Sequence, residues 1–512
     1  MGEGPGGAVQ VKRLAGLDAT FLYMETPTTP MHVMGVLLLD TSTAVGGYSF
    51  DKVRELLLNR IHLMPAFRRR LVPVPLGLAH PVWIEDADFD LDNHLHRVGA
   101  PPPGDLRALE QIVGDIAGHV LDRTKPLWEM WVVEGLSEER AAVVTKIHHS
   151  AIDGTSGADV MVHLLDITPE VSPAPPADEP WVPERRPSDL RLLAGGLASQ
   201  AGTPLRAVKA IGKLAGNAAR TARSYARREM REASPPPFTA PRTVFSGALT
   251  PHRAVAFGEG SLEDLKAIKS AFGGKVNDVV LAIATHAMRS YLAWLGELPD
   301  RPLVASCPIS VRKEGEEARD SANQVSNMLV PLPVQLADPV EQLEAIIQST
   351  KRSKELANAI GAETLMDWAE FLAPRLFTTG MRLYSATRMG NLHPPALNLI
   401  VSNVPGPPIP LYSAGARILA IFPMGPLLPG AGVNITVLSN MGNVDFGVIA
   451  VREAIPEAWR IADGLKEGID LLLAASKVRT ARPANAAKRP ATRKKGAPRR
   501  KAAPRTRAVA KA

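Results

Sequence analysis

The stretch Ala141 to Gly157, AAVVTKIHHSAIDGTSG, holds the residue types best suited to chemistry. Two adjacent imidazoles, His148 and His149, are followed by a carboxylate, Asp153, and a glycine, Gly154. An imidazole with an ordinary pKa near 6.5 gains and loses a proton close to neutral pH, which is what a general base must do. By spacing alone the group also fits a satisfied polar turn or part of a metal-ligand set. A metal site is disfavoured: the chain has no His-Glu-x-x-His helix pattern and a single cysteine, Cys307. No Gly-x-Ser-x-Gly elbow is present, so a serine hydrolase has no support.

These residues need elements to hold them. Val143 to Ile147 is a β-branched, apolar run and predicts a strand, so His148 and His149 end a buried strand. Neighbouring strand residues point to opposite faces, and the two imidazoles therefore cannot share one role: one faces a cleft and the other supports it. Asp153 to Gly157 predicts a turn into a helix carrying Val160, Met161, Leu164 and Leu165. Gly154 permits a backbone turn closed to other residues, and Asp153 can pair with an arginine elsewhere. Val33 to Leu39 predicts another strand, and Asp51 to Ile61 a helix with Val53, Leu56, Leu57 and Ile61 on one side. Ser261 to Asp264 has the pattern of a capping box opening a helix with Leu262, Leu265 and Ile268 inward. After Gly273 and Gly274 a further helix is predicted from Asn277, burying Val280, Ile283, Ala284, Ala287, Met288 and Tyr291. Val433 to Val437 and Val444 to Val451 read as strands, the second containing Asp445-Phe446-Gly447.

Length and charge bound the rest. The 512 residues are 45% hydrophobic and 22% charged, the balance of a globular protein large enough for two or three domains. The net charge of +7 is a property of one end. From Lys477 onward there are fourteen Lys and Arg and no acid, leaving 45 basic and 52 acidic residues, or −7, for the body. A tail of Ala, Pro, Lys and Arg has nothing to bury and is expected to be disordered, attracted to anionic headgroups or simply solvated. A nucleic-acid-binding role would rest on that tail alone and is not expected. Seven prolines between Pro169 and Pro187 predict an extended crossover, followed by a basic amphipathic helical segment to Glu232. That segment suits either a membrane interface or the protein's own surface. The Met1 end has no signal-like apolar stretch and no spanning helix is evident; with the lone cysteine this predicts a cytoplasmic protein, with peripheral lipid contact open.

At this point the residues resemble a known family. His148-His149-Ser150-Ala151-Ile152-Asp153-Gly154 matches the HHxxxDG element of the CoA-dependent acyltransferase superfamily. Leu17 to Phe21, Thr28 to His32, Pro126-Leu127-Trp128, Val276 to Ala282 and Ser402 to Pro407 are similar to the bacterial wax ester synthase/diacylglycerol acyltransferase branch, in that order. The resemblance implies transfer of a fatty acyl group from acyl-CoA, a co-substrate rather than a resident cofactor, to the hydroxyl of diacylglycerol or of a long-chain alcohol. It implies His149 as general base, His148 as its support and no acyl-enzyme, so Cys307 is not expected to act. Asn277 is then a candidate oxyanion donor, with an ordinary N-cap as the competing reading. Asp153 is implied to sit in a structural ion pair, for which Arg312 is the candidate partner. Trp128 is expected in the core. Acceptors of another kind, a polyketide or glycolipid hydroxyl, and a non-catalytic lipid-surface protein are the rival functions.

The implied fold is α/β, with two chloramphenicol-acetyltransferase-like domains of mixed sheets joined by a long crossover. The expected divisions are 1–170 with HHxxxDG, 171–243 for the Pro-rich linker and basic helical segment, 244–476 for the second domain, and 477–512 for the tail. The expected partners are acyl-CoA, the acceptor lipid, and a membrane or lipid-droplet surface; no metal is expected.

Overall fold

The computed structural model describes residues 12–151, 162–176, 181, 185–200, 238–310, 325–360 and 374–481. Asp153, Gly154 and Arg312, the linker segment 201–237 and the tail from 482 lie outside the described residues.

The first unit opens with helix α1 (Gly16–Met24), strand β1 (His32–Asp40) and helix α2 (Phe50–Arg60). A small hairpin, β2 (Arg69–Val72) and β3 (Val82–Glu85), precedes β4 (Leu95–Gly99), helix α3 (Leu106–Gly118), β5 (Trp128–Leu136) and β6 (Arg140–His148). β1 reads HVMGVLLLD, apolar on both faces because it lies inside a sheet covered on both sides. Leu37 and Leu39 pack with Val53, Leu56 and Leu57 of α2, while Met34, Val36 and Leu38 pack with Leu109, Val113 and Ile116 of α3. That alternation is the two-residue period of a strand. The crossover is pinned to this unit: buried Arg60 pairs with Asp166 at 2.7 Å and donates to Ser172 O at 2.7 Å. Past it, helix α4 (Asp189–Gln200) tucks Leu192 against Val72, Val82 and Ile84. The described start of the basic segment therefore covers the protein's own surface.

The second unit comprises β7 (Arg253–Ser261), α5 (Leu262–Phe272), α6 (Val276–Leu295), β8 (Leu303–Ser310), β9 (Val325–Leu332), α7 (Pro339–Ile360) and α8 (Pro374–Ala386). It continues with β10 (Leu399–Val404), β11 (Tyr412–Ser413), β12 (Ala416–Met424), β13 (Val433–Asn440), β14 (Asn443–Val451) and α9 (Ala458–Ala481). Its sheet runs β7-β14-β13-β10-β8-β9, with β10 parallel to both neighbours and the rest antiparallel. α6 is buried almost all round from Asp278 to Leu292, as a helix must be when it lies inside a core.

Two strands do not stay with the region that encodes them. The first sheet has the order β11-β12-β1-β6-β5-β4, so β11 and β12 leave the second unit and extend the first, β12 running antiparallel to β1 from Met34↔Met424 to Asp40↔Arg417. A division of the chain at residue 244 places this segment with the second unit, and its strands belong to the first sheet. No local pattern announces the exchange, since a strand has the same two faces in either sheet. Beyond its short pairing with β11, the edge that β12 turns away from β1 is met by β14: Asp445 Oδ2 accepts from Ile421 N at 2.8 Å. Gly447 leaves room there, since a Cβ on it would stand 1.9 Å from Pro423 O. The Asp445-Phe446-Gly447 run thus does build a strand, and two of its side-chain positions join the two sheets.

Candidate active site

β6 ends where four separated sequence elements meet. His148 N–H donates to Leu127 O at 2.9 Å and His149 N–H to Met31 O at 2.8 Å, so the histidines are stitched between the Pro126-Leu127-Trp128 segment and the loop entering β1. Ala151 N–H returns to His148 O at 2.8 Å and closes the turn. α1 supplies the fourth element, the Phe21 ring, lying parallel to the His149 imidazole with centroids 3.8 Å apart.

The two imidazoles have different surroundings, as adjacent strand residues should. His148 is fully buried. Its Nδ1 accepts from Ser150 N–H at 3.1 Å and lies 2.6 Å from Ser150 Oγ. A ring nitrogen that accepts from a backbone N–H carries no proton, so in the neutral ring the proton sits on Nε2. That atom faces Glu25 Oε2 at 3.3 Å. Glu25 Oε2 also accepts from Met31 N at 3.2 Å, and its Oε1 accepts from Arg123 Nε and Nη2 at 3.1 and 2.8 Å. Burial alone would raise this carboxyl, but His148 and then Arg123 outweigh it and hold it at about 2. Glu25 is thus an anion that ties Met31, and through Met31 O the backbone of His149, to the His148 ring.

His149 is only half-buried. Burial of its ring, with a smaller contribution from neighbouring His148, brings its pKa down to about 4. At neutral pH it is therefore an unprotonated base under an aromatic lid, with Nδ1 buried and unpartnered among the described residues. Lys146 and His148 stand on the face of β6 that turns toward the second unit. His32, their neighbour on β1, donates from Nε2 to Ala117 O at 3.2 Å, and burial followed by the charge of Lys146 keeps it neutral. Lys146 is buried with Nζ 3.4 Å from Glu129 Oε2. From across the seam Arg253, at the start of β7, donates to Thr28 O at 2.8 Å.

Other expected residues sort as follows. Asn277 neither begins α6 nor caps it: Lys275 is the N-cap, and Asp278 reaches back to accept from Lys275 N at 2.8 Å. Asn277 occupies the second helical position, half-buried. Trp128 is core, its indole donating to Phe67 O at 2.8 Å between the Phe67 and His94 rings. Cys307 is buried and its thiol pushed up to about 12, which leaves it inert as a nucleophile. Among the described residues no group of three His, Cys, Asp or Glu could hold a metal ion. Glu25, Arg123, Lys146 and Arg253 carry no sequence signal of their own. Phe21 has one only as part of the Leu17 to Phe21 element.

The arrangement can be set beside known proteins. The family model described as wax ester synthase/diacylglycerol acyltransferase catalytic domain matches residues 14–280, and its C-terminal companion matches 321–473. A Mycobacterium tuberculosis H37Rv protein named, by inference, a diacylglycerol O-acyltransferase is 40% identical over 473 residues, 92% of this chain and 92% of its own. A second protein of that strain, similarly named, is 34% identical over 92% of this chain and 98% of its own. The solved wax ester synthase/diacylglycerol acyltransferase from Marinobacter aquaeolei VT8 superposes with a TM-score of 0.64 at 27% identity, over 91% of this chain and 100% of that one. The first condensation domain of the CDA synthetase, at 13% identity and a TM-score of 0.53, shares the two-domain fold alone.

Proposed function

The chain belongs to the wax ester synthase/diacylglycerol acyltransferase family, and from that premise we propose that it esterifies diacylglycerol, and long-chain alcohols, with His149 as general base. It is an acyltransferase that draws on acyl-CoA. The observation that carries the proposed mechanism is a neutral, half-buried imidazole clamped by its backbone and stacked on Phe21.

The acceptor hydroxyl attacks the thioester carbonyl while His149 takes its proton. The tetrahedral oxyanion then collapses, the C–S bond breaks, and the CoA thiolate leaves with the proton from the imidazolium. An imidazole of low pKa is a weak base in the resting site. As the oxyanion develops, its charge stabilises the neighbouring imidazolium, and basicity rises when it is needed. No enzyme nucleophile is involved, in keeping with the inert Cys307 thiol. His148, buried and turned toward Glu25, holds the strand end rather than meeting substrate. Asn277 we retain as the donor to the oxyanion; the assignments of Asp153 to an ion pair with Arg312, and of Gly154 to the turn, rest on the resemblance of the HHxxxDG element.

His149→Ala should lower ester formation from labelled acyl-CoA and diacylglycerol by about 10²- to 10⁴-fold with unchanged circular dichroism. An unimpaired variant sinks the assignment. An acceptor panel resolved by mass spectrometry identifies the preferred alcohol, and esterification of only a polyketide or glycolipid hydroxyl replaces the lipid reading. Both substrates are amphiphiles, so we place the enzyme peripherally on a membrane or lipid-droplet surface. No described helix is long and apolar enough to cross a membrane.

A further inference from the structure

We infer that the free side of α8, continued through residues 389–393, is the face by which this protein docks on an anionic lipid surface beside the His149 site. The inference rests on the acyltransferase reading only for why a lipid face is useful. Its own support is geometric and electrostatic.

Leu383 and Leu392 are 60% and 79% exposed, and Phe238 and Met389 are 56% and 41% exposed. Scattered apolar residues on a surface mean little, but Leu383, Met389 and Leu392 lie close together in the chain, and Phe238 is brought to the same segment through His393. The Phe238 ring stands edge-on to His393 at 5.5 Å, and Tyr384, next to Leu383, meets His393 Nε2 through its hydroxyl at 2.8 Å. Leu392 N–H donates to Met389 O at 2.9 Å, closing the turn between them. Arg242, exposed like Arg382 and Arg388, donates to His393 O at 2.7 Å from the flank.

The charge pattern selects the occupant. From Phe371 to Val444 the sequence contains no Asp or Glu, and its charged residues are Arg375, Arg382, Arg388 and Arg417. Exposed apolar side chains among arginines without acids complement a surface that is apolar inside and anionic outside, the combination that holds interfacial helices. The basic tail differs: it brings charge but few apolar groups, and electrostatic attraction alone anchors weakly. The opposite side of α8 is occupied. Phe377 packs on the α1 cluster, and Ser385 Oγ meets Thr28 Oγ1 at 2.9 Å. Since α1 carries Phe21, the lipid face lies one helix away from the base, and an acceptor dissolved in the lipid has a short path to it.

Vesicle sedimentation with the full chain tests this. The protein should be retained on vesicles of phosphatidylcholine and phosphatidylglycerol in equal parts. Leu383→Asp with Leu392→Asp should reduce retention at least about tenfold. Arg382→Glu with Arg388→Glu should lose the advantage of the mixed vesicles over pure phosphatidylcholine. Both variants keep the tail, which therefore cancels, and both should keep ester formation on a water-soluble short-chain alcohol. Unchanged retention of both overturns the inference. So does a concentration-dependent dimer that the leucine variant abolishes, with no retention on vesicles, because the face would then belong to a second copy. Leucine-dependent retention by a protein inactive on every acceptor leaves the lipid face standing and defeats the acyltransferase reading instead.

Discussion

At the scale of single residues, the chemistry depends on how each ionisable group is covered. His149 titrates near 4, against an ordinary value of 6.5, because its ring is shielded, with Phe21 lying directly on it. For a base that must be unprotonated, kcat/KM should stay level from neutral pH down to about 5 and fall only as pH approaches the lowered value. Phe21→Ala admits water to the ring, and the acid limb of the kcat/KM profile should move up toward 6.5; a limb that stays in place refutes burial as the cause. The same shift affects stability. Between 6.5 and 4 the unfolded chain binds a proton at this position and the native state does not, so the contribution is complete above 6.5 and is lost as pH falls through that window. His32, also held below its ordinary value, acts in the same direction. Glu25→Gln preserves shape but removes the anion that faces His148 and Arg123. We expect kcat to fall about tenfold or more through misplacement of the strand end, with little change in KM for acyl-CoA. A fall confined to KM would show that Glu25 acts on substrate binding. These roles follow from contacts 98 and 123 residues apart in sequence, Glu25 with Arg123 and with His148, which explains why no local pattern displays them.

At the scale of elements, the join between β12 and β14 is the most constrained feature. Asp445 is fully buried and its carboxyl is pushed up to about 7, chiefly by burial, against the opposing hydrogen bond from Ile421 N. Here the native state holds the proton more tightly than the unfolded chain, so between about 4 and 7 this residue makes stability fall as pH rises, the reverse of the histidines. Asp445→Asn still accepts from Ile421 N and cannot ionise. It should flatten that slope and exceed the parent by at least about 1 kcal/mol above pH 7 in chemical denaturation. Asp445→Ala, which strips a partner from a buried N–H, should cost about 1 to 3 kcal/mol. Helices are simpler. α2 and α6 appear where their apolar spacing predicts, but α6 begins one residue before Asn277 because the Asp278 carboxylate reaches back to Lys275 N.

At the scale of the whole molecule, the two units share a core. Phe257, Ile449 and Val451 of the second pack with Val36, Val113 and Val144 of the first. α3 lies close on the start of β7: a Cβ added to Gly114 would stand 2.8 Å from Arg253 O. Arg253 is itself buried, its guanidinium brought down to about 10 by burial, and it spans the seam to Thr28 O. Gly114→Val should wedge the units apart, and Arg253→Ala should remove the polar tie. Calorimetry should then show a single transition in the parent protein and an earlier or divided one in either variant. A single unshifted transition would mean that the units are held together elsewhere.

The amino-acid sequence alone determined the secondary elements with strong periodicity, the basic tail, the family and the pair of histidines, because each is written in neighbouring residues or in a motif of short span. Tertiary structure alone decided which imidazole is sealed and which is only half-buried, that Glu25 anchors the first, that β12 is exchanged between sheets, and that α8 leaves one side bare. The physical reason is common to all four. Burial, charge pairing and sheet membership are properties of groups brought together from distant parts of the chain, and they take their values only when the chain is packed.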